Sequence, residues 1–140
     1  MIIKCDDPDC KLGVNDNLPV HNVVLYKQPN MVNNYPFWKS DELPGGGRIA
    51  MWGDGGTGTS LDWEIGTIDV CNEAAKKCDN GGHDGETRWF SNEYDACPQL
   101  IKSWETIDGL TSNFDQATTD SDVKKEFGVV GVQIESSECY

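Results

Sequence analysis

The chain has 140 residues, 37% of them hydrophobic, and its 24 acidic and 11 basic residues give a formal net charge of −13. This length and apolar content suffice for one folded domain and argue against global disorder. The acidity argues against nucleic acid and anionic membranes as partners, because both are bound through clustered Lys and Arg. It is compatible with a simple role in solubility, with a salt-adapted surface or with divalent-cation binding.

The beginning of the chain predicts a polar arm over residues 1–20, tied by a disulfide, followed by a single β-rich domain over residues 21–140. The start "MIIKCDDPDC" lacks the apolar core of a signal peptide, so we expect that Met1 is not the natural start of a secreted precursor. No window approaches the roughly 18 apolar residues of a membrane span, which argues against membrane insertion.

The first half of the domain predicts short strands separated by turns. Residues 21–28 are typical of a strand that Pro29 ends, and residues 33–40 contain Pro36, which suits an edge strand. The apolar run 48–52 and the segment 61–66 predict a hairpin across the glycine-rich residues 53–60. In 61–66, alternation directs Leu61, Trp63 and Ile65 inward and Asp62 and Glu64 outward.

The second half mixes strand patterns with short helical ones. Residues 71–78 predict a helical turn capped by Asn72, residues 97–105 a helix starting at Pro98, and residues 119–127 another helix. Residues 87–91 and 128–135 read as strands. The pattern favours an all-β antiparallel fold, a sandwich or barrel-like one, with one or two short peripheral helices and disulfides.

The even number of cysteines predicts disulfides and an extracellular or cell-surface location. We favour pairs close in sequence, with the last pair closing the C-terminal third, although six cysteines permit other pairings. A zinc site is the alternative, but the chain has no C-x-x-C and only two histidines, His21 and His83. The favoured pairs are Cys5–Cys10, Cys71–Cys78 and Cys97–Cys139.

Oxygen-rich loops at 5–10 and 79–86 are the candidate cation sites. In the second loop Asp79, Asp84 and Glu86 are candidate calcium ligands, although neither loop has EF-hand spacing and a solvated loop is the alternative. His83 in the same loop is a candidate catalytic or ligand residue, or simply an exposed loop histidine. No nucleophile-bearing motif accompanies it, so no catalytic residue is assigned.

Five tryptophans are the most conspicuous excess in the composition. Trp52 and Trp63 lie in the most apolar strands and are expected in the core, because indole rings bury large areas. Trp38 and Trp89 lie beside charged residues, so they are candidates for carbohydrate stacking as well as for the core.

A spaced pattern of aromatic and apolar residues with proline, glycine, asparagine and cysteine runs from about residue 26 to residue 105. Its members are Tyr26, Pro29, Val32, Asn33, Tyr35, Pro36, Trp38, Ile49, Ala50, Trp52, Trp63, Ile65, Gly66, Cys97, Pro98 and Trp104. This pattern resembles an extracellular module of large secreted or surface proteins from protists and marine invertebrates. The resemblance implies a β-rich architecture and extracellular display, without an established activity. The chain departs from the module at Asn34, where glycine is common, and by the insert 71–86.

A weaker similarity joins residues 10–29 to the start of lysosomal-type acid deoxyribonucleases, whose H-x-K motif the chain lacks.

These observations predict an extracellular structural protein without catalysis, repeating in a filament or surface layer. Its self-assembly contacts are expected in the arm 1–20 and in the strand 128–135. Because copies of charge −13 repel each other, assembly requires cations, high salt or glycans between subunits. A glycan- or protein-binding module and a hydrolase are the two alternatives.

Overall fold

The computed structural model describes residues 2–4, 11–14, 18–19, 23–44, 46–54, 62–78, 86–91, 101, 103–106, 111–113 and 115–117. Within these ranges the secondary structure is short β-strands and one 3₁₀ turn, Ile68–Val70. The strands are β1 Ile2–Lys4, β2 Lys11–Val14, β3 Leu18–Pro19, β4 Val23–Val24, β5 Tyr26–Val32, β6 Tyr35–Lys39, β7 Ile49–Asp54, β8 Asp62–Thr67, β9 Cys71–Asn72, β10 Lys77–Cys78, β11 Glu86–Thr87, β12 Trp89–Ser91, β13 Ser103–Glu105, β14 Thr111–Asn113 and β15 Asp115–Ala117.

The largest sheet is an antiparallel meander of seven strands in the order β14-β13-β12-β8-β7-β6-β5. Its best-aligned pair is β7 with β8, which runs in register from Ile49 opposite Thr67 to Asp54 opposite Asp62. The predicted hairpin across residues 53–60 is therefore confirmed. The smaller groups are β15-β1-β4, β11-β2-β3 and β10-β9, all paired antiparallel. The prediction of a mainly antiparallel β fold is confirmed at this level.

One face of the meander forms the main core. Cross-strand neighbours such as Trp38 and Met51, or Ile65 and Trp89, place their side chains together on this face. All five tryptophans of the chain are 0% exposed, so indole rings are a principal filling of the interior. The other buried members of this cluster are Leu12, Leu18, Val23, Leu25, Ile49, Trp63, Ile101 and Trp104, several of which come from β2, β3 and β4.

The opposite face of the meander is also covered. Trp52 packs there with Phe37, Ala50 and Cys78, and the partly buried residues of the segment 68–71 lie against them. A sheet that is buried on both faces does not keep polar side chains at every second position. Glu64, which alternation directs outward, is consequently buried, with only 1% of its surface exposed, and that prediction is wrong.

The β5–β6 hairpin turns through two asparagines in the left-handed region, Asn33 at φ 52° and Asn34 at φ 67°. Val32 faces Tyr35 across this two-residue loop. Positive φ at both positions is the mark of a type I′ turn, whose twist matches that of the strands, and asparagine tolerates it better than most residues. Asn34 therefore adopts the left-handed conformation that suits the glycine common at this position of the module that the chain resembles.

Two proline-based predictions for this hairpin are wrong. Pro29 does not end the strand but lies within β5, the terminal strand of the sheet, where proline is tolerated. Pro36 does not mark an edge, since β6 lies between β5 and β7. The register between β5 and β6 shifts between Lys27 and Met31, so the ladder beside Pro36 is already interrupted.

Two of the predicted helices are strands instead. Residues 71–78 form the β9–β10 hairpin, and residues 103–105 of the predicted helix 97–105 form β13. Pairing with β12 and β14 outweighs the weak local helix signal around Trp104. The third predicted helix, residues 119–127, and the strand 128–135 lie outside the described residues.

The arm 1–20 contributes strands that pair within the chain. β1 lies between β4 and β15, and β2 lies between β3 and β11. Among the residues that the structure describes, no helix has the length and hydropathy to cross a membrane.

Candidate functional site

A pair of opposite charges lies buried on the second face of the meander. Glu64 of β8 and Arg88, just before β12, are each 1% exposed. The register of β7 and β8 places Glu64 directly opposite Trp52. The Oε2 of Glu64 accepts a hydrogen bond of 2.7 Å from the indole Nε1 of Trp52. Buried carboxylates are costly unless they are paired in this way.

Arg88 and Trp52 meet over a glycine. The guanidinium carbon of Arg88 lies 5.8 Å from the centre of the Trp52 ring, within range of a cation–π contact. A Cβ atom at Gly66 would lie 2.8 Å from Cη2 of Trp52 and 3.4 Å from Cγ of Arg88. The absence of a side chain at Gly66 is what allows the two groups to approach each other across β8. We refer to Trp52, Glu64, Gly66 and Arg88 as the buried charged cluster.

The buried charged cluster fits a structural role better than a chemical one. Its carboxylate and guanidinium have almost no exposed surface, so a dissolved substrate does not reach them without an opening of the domain. What the cluster does is join β7, β8 and the start of β12 through side chains. Sequence reasoning missed it, and the available signal was Gly66, since an isolated glycine inside a strand often marks a close approach.

A disulfide hairpin docks beside the β5–β6 turn. The predicted Cys71–Cys78 disulfide is present and closes the β9–β10 hairpin. The backbone N–H of Asn33 donates to the carbonyl of Lys76 at 2.9 Å, and the side-chain Oδ1 of Asn33 accepts from the N–H of Cys78 at 3.3 Å. The Nδ2 of Asn33 donates to the carbonyl of Gly53 at 3.2 Å, so this residue ties the hairpin to β7.

The tip of this hairpin is open to solvent. Residues 72–77 are exposed, and the Nζ of Lys39 forms an ion pair of 2.8 Å with Glu73. Asn72 acts as a cap, as predicted, but of the hairpin turn, because its Oδ1 accepts from the N–H of Ala75 at 3.1 Å. The predicted helical turn is wrong here because disulfide closure and docking on Asn33 favour the hairpin.

The two tryptophans that were candidates both for carbohydrate stacking and for the core are in the core. Trp38 and Trp89 are 0% exposed. The Trp38 ring lies 5.9 Å from the Trp63 ring in an edge arrangement, and the Nε1 of Trp89 donates to the carbonyl of Lys11 at 3.1 Å. Neither ring offers a face to a sugar, so the interpretation as stacking platforms is corrected. Arg88, the charged neighbour of Trp89 in the sequence, lies over the Trp52 ring on the other face of the meander.

The remaining predicted site residues are not brought together by the described part of the chain. Asp79, His83, Asp84 and the cysteines Cys5, Cys10, Cys97 and Cys139 lie outside it. The backbone of Glu86 is in β11, opposite Val14 of β2. Among the described residues, no group of three or more His, Cys, Asp or Glu is placed to hold a metal ion. The calcium site and the hydrolase alternative based on His83 stay predictions.

Compared with protein-family models, with curated proteins and with solved structures, the chain matches none of them.

Proposed function

We propose that this chain is an extracellular structural module that repeats in a filament or surface layer. The observation that supports it most is the use of the aromatic side chains. All five indoles are buried, together with the charged side chains of Glu64 and Arg88. The aromatic rings that could stack against a ligand are thus in the interior, where they hold the strands together, as suits a structural domain.

The disulfide hairpin supports an extracellular setting. The Cys71–Cys78 bond closes an exposed turn, and bonds of this kind persist in oxidising compartments. The hairpin is also hydrogen-bonded to the β5–β6 turn through Asn33, which in turn is bonded to β7.

The strand pairings support a barrel-like arrangement as the finer architecture. On one side β1 pairs with β4, which is separated from β5 by Leu25 alone. On the other side β1 pairs with β15, which follows β14 in the chain. β5 and β14 are the two ends of the meander. In this proposal β1 is the closing strand between β15 and β4, and the seven strands of the meander come in chain order from β5 to β14.

The net charge of −13 sets the conditions for the test. Repulsion between copies extends over about 30 Å at 0.01 M salt and about 3 Å at 1 M. Purified protein is examined by negative-stain microscopy and sedimentation velocity across this range, with and without calcium. We expect larger species to increase with ionic strength or calcium; a monomer under all conditions, including high protein concentration, contradicts the proposal.

Chelation separates the calcium version from the salt version. If calcium at Asp79, Asp84 and Glu86 joins copies, a chelator disperses the assemblies while the same concentration of monovalent salt does not replace calcium. The variant Asp79→Asn/Asp84→Asn gives the same result without chelator. If assemblies survive both treatments, calcium does not join the copies, and screening of the negative charge is the remaining explanation.

A further inference from the structure

β1 occupies a slot between two other strands. Ile2 lies opposite Val24 of β4 on one side and opposite Ala117 of β15 on the other. β1 therefore has neighbours on both of its edges, and it is the central strand of the sheet β15-β1-β4. If β1 leaves, two strand edges with unpaired backbone groups are exposed, and such edges readily accept a new strand.

β1, the strand that lies in this slot, is short and is separated from β2 in the sequence. β1 has three residues, and six residues, 5–10, separate it from β2. β1 is held by antiparallel backbone pairing with β4 and β15. The β1 segment of a second copy has the same sequence, so it can pair in the same register. Exchange of an identical element between copies needs no new complementary surface, because each contact made is one that already exists within a single chain.

We propose that the slot between β4 and β15 accepts β1 from a second copy of this chain, so that copies are joined by strand exchange. This inference rests on the proposed structural function and names its contact. A strand donated to one neighbour and a slot filled by another produce a head-to-tail chain of copies, and such a heterologous contact extends without limit when it does not close into a ring. The occupant is the identical segment because its register in the slot is known on both sides.

The charge of the chain affects the rate of exchange more than its result. Bringing two copies of charge −13 together is slow at low salt and faster when the repulsion is screened. The bonds that hold the donated strand are backbone hydrogen bonds, which do not depend on that screening. Assemblies formed at high salt should therefore persist for longer after transfer to low salt than contacts made by cations alone.

Crosslinking between two single variants tests the exchange. Ile2→Cys is mixed with Ala117→Cys, assemblies are collected by sedimentation and oxidised mildly, and linked peptides are identified by mass spectrometry. Residues opposite each other on antiparallel strands have Cα atoms about 4.5–5.5 Å apart, which a disulfide spans. The control replaces Ala117→Cys by Ser112→Cys, which lies on β14 opposite Trp104 and not opposite β1.

We expect the bond between residues 2 and 117 to join different chains at least tenfold more often than the bond between residues 2 and 112. The double variant Ile2→Cys/Ala117→Cys verifies the geometry by closing within one chain in the monomer fraction. If assemblies form and the two bonds between chains are equally rare, the exchange is refuted while the proposed function stands. If nothing sediments and the double variant closes only within single chains, both fail.

Discussion

At the scale of single residues, Gly66 and Glu64 of β8 both lie against the indole of Trp52 on the second face of the meander. The pattern in 61–66 correctly places Trp63 and Ile65 in the core, and both are 0% exposed. It fails for Glu64 because a second layer covers the other face, and the sequence of one strand does not reveal how many of its faces are covered. The partner of Glu64, the indole of Trp52, is fixed by register between β7 and β8.

The close approach at Gly66 predicts a steric penalty that depends on Trp52. Gly66→Ala forces its new methyl group against the indole, 2.8 Å from Cη2, and should reduce the free energy of unfolding by about 1–3 kcal/mol. The penalty should shrink in a Trp52→Phe background, because that substitution removes the outer part of the ring. Urea unfolding of the four proteins in this cycle measures the coupling.

Gly46→Ala is the matched control for this cycle. Gly46 has a φ of +91° and open space around it, so alanine there causes backbone strain of about 1 kcal/mol without a clash. Its cost should be the same in the Trp52→Phe background. Equal costs for Gly66→Ala with and without the indole would refute the explanation given for the glycine.

At the scale of elements, the two asparagines of the β5–β6 turn have different roles, which the sequence "NN" does not distinguish. Both residues have positive φ, but the side chain of Asn33 alone bonds the disulfide hairpin and β7 in the contacts described above. Asn34→Gly should change the unfolding free energy by no more than about 0.5 kcal/mol. Asn33→Gly keeps the turn but loses two hydrogen bonds, and should cost about 1–3 kcal/mol.

Thermal and urea unfolding of both glycine variants measures this difference. The two substitutions are chemically identical and one residue apart, so each is the control of the other. A loss at position 34 equal to that at position 33 would mean that the turn itself, and not the docking of the hairpin, sets the stability of this region.

Residues 71–78 predict one helical turn because the six residues 72–77 include good helix formers. The disulfide between Cys71 and Cys78 closes a β-hairpin instead. The pairing was predictable from the spacing of the two cysteines, but the hairpin that it closes was not. Cys71→Ala/Cys78→Ala should cost about 2 kcal/mol, since seven residues of separation close a short loop. The exposed ion pair of Lys39 with Glu73 adds at most about 1 kcal/mol, so it does not replace the bond.

Differential scanning calorimetry of the double alanine variant checks this value. The variant Lys39→Gln serves as its control, because it removes the neighbouring ion pair and leaves the covalent bond in place. A double alanine variant as stable as the natural chain would show that the docking on Asn33 holds the hairpin without the disulfide.

At the scale of the whole molecule, the mainly antiparallel β class followed from short strand patterns and turn residues. The positions of edges did not, because Pro29 and Pro36 carry the same local signal while β5 ends the sheet and β6 lies inside it. The placement of β1 between β4 and β15 was equally beyond local reasoning, since it joins residues more than a hundred positions apart. The burial of Trp38 and Trp89 was also not predictable locally, because residues of β2, β3 and β4 pack on their face of the meander.

The proposed structural function requires the indole rings to lie in the interior of the folded chain. Acrylamide quenching of tryptophan fluorescence measures this position in solution, with the urea-unfolded chain as reference. We predict a blue-shifted native emission with a quenching constant several times lower than that of the unfolded chain, because all five rings are 0% exposed. Native emission at the wavelength of the unfolded chain, quenched to the same degree, would place the rings in solvent and contradict the structural function.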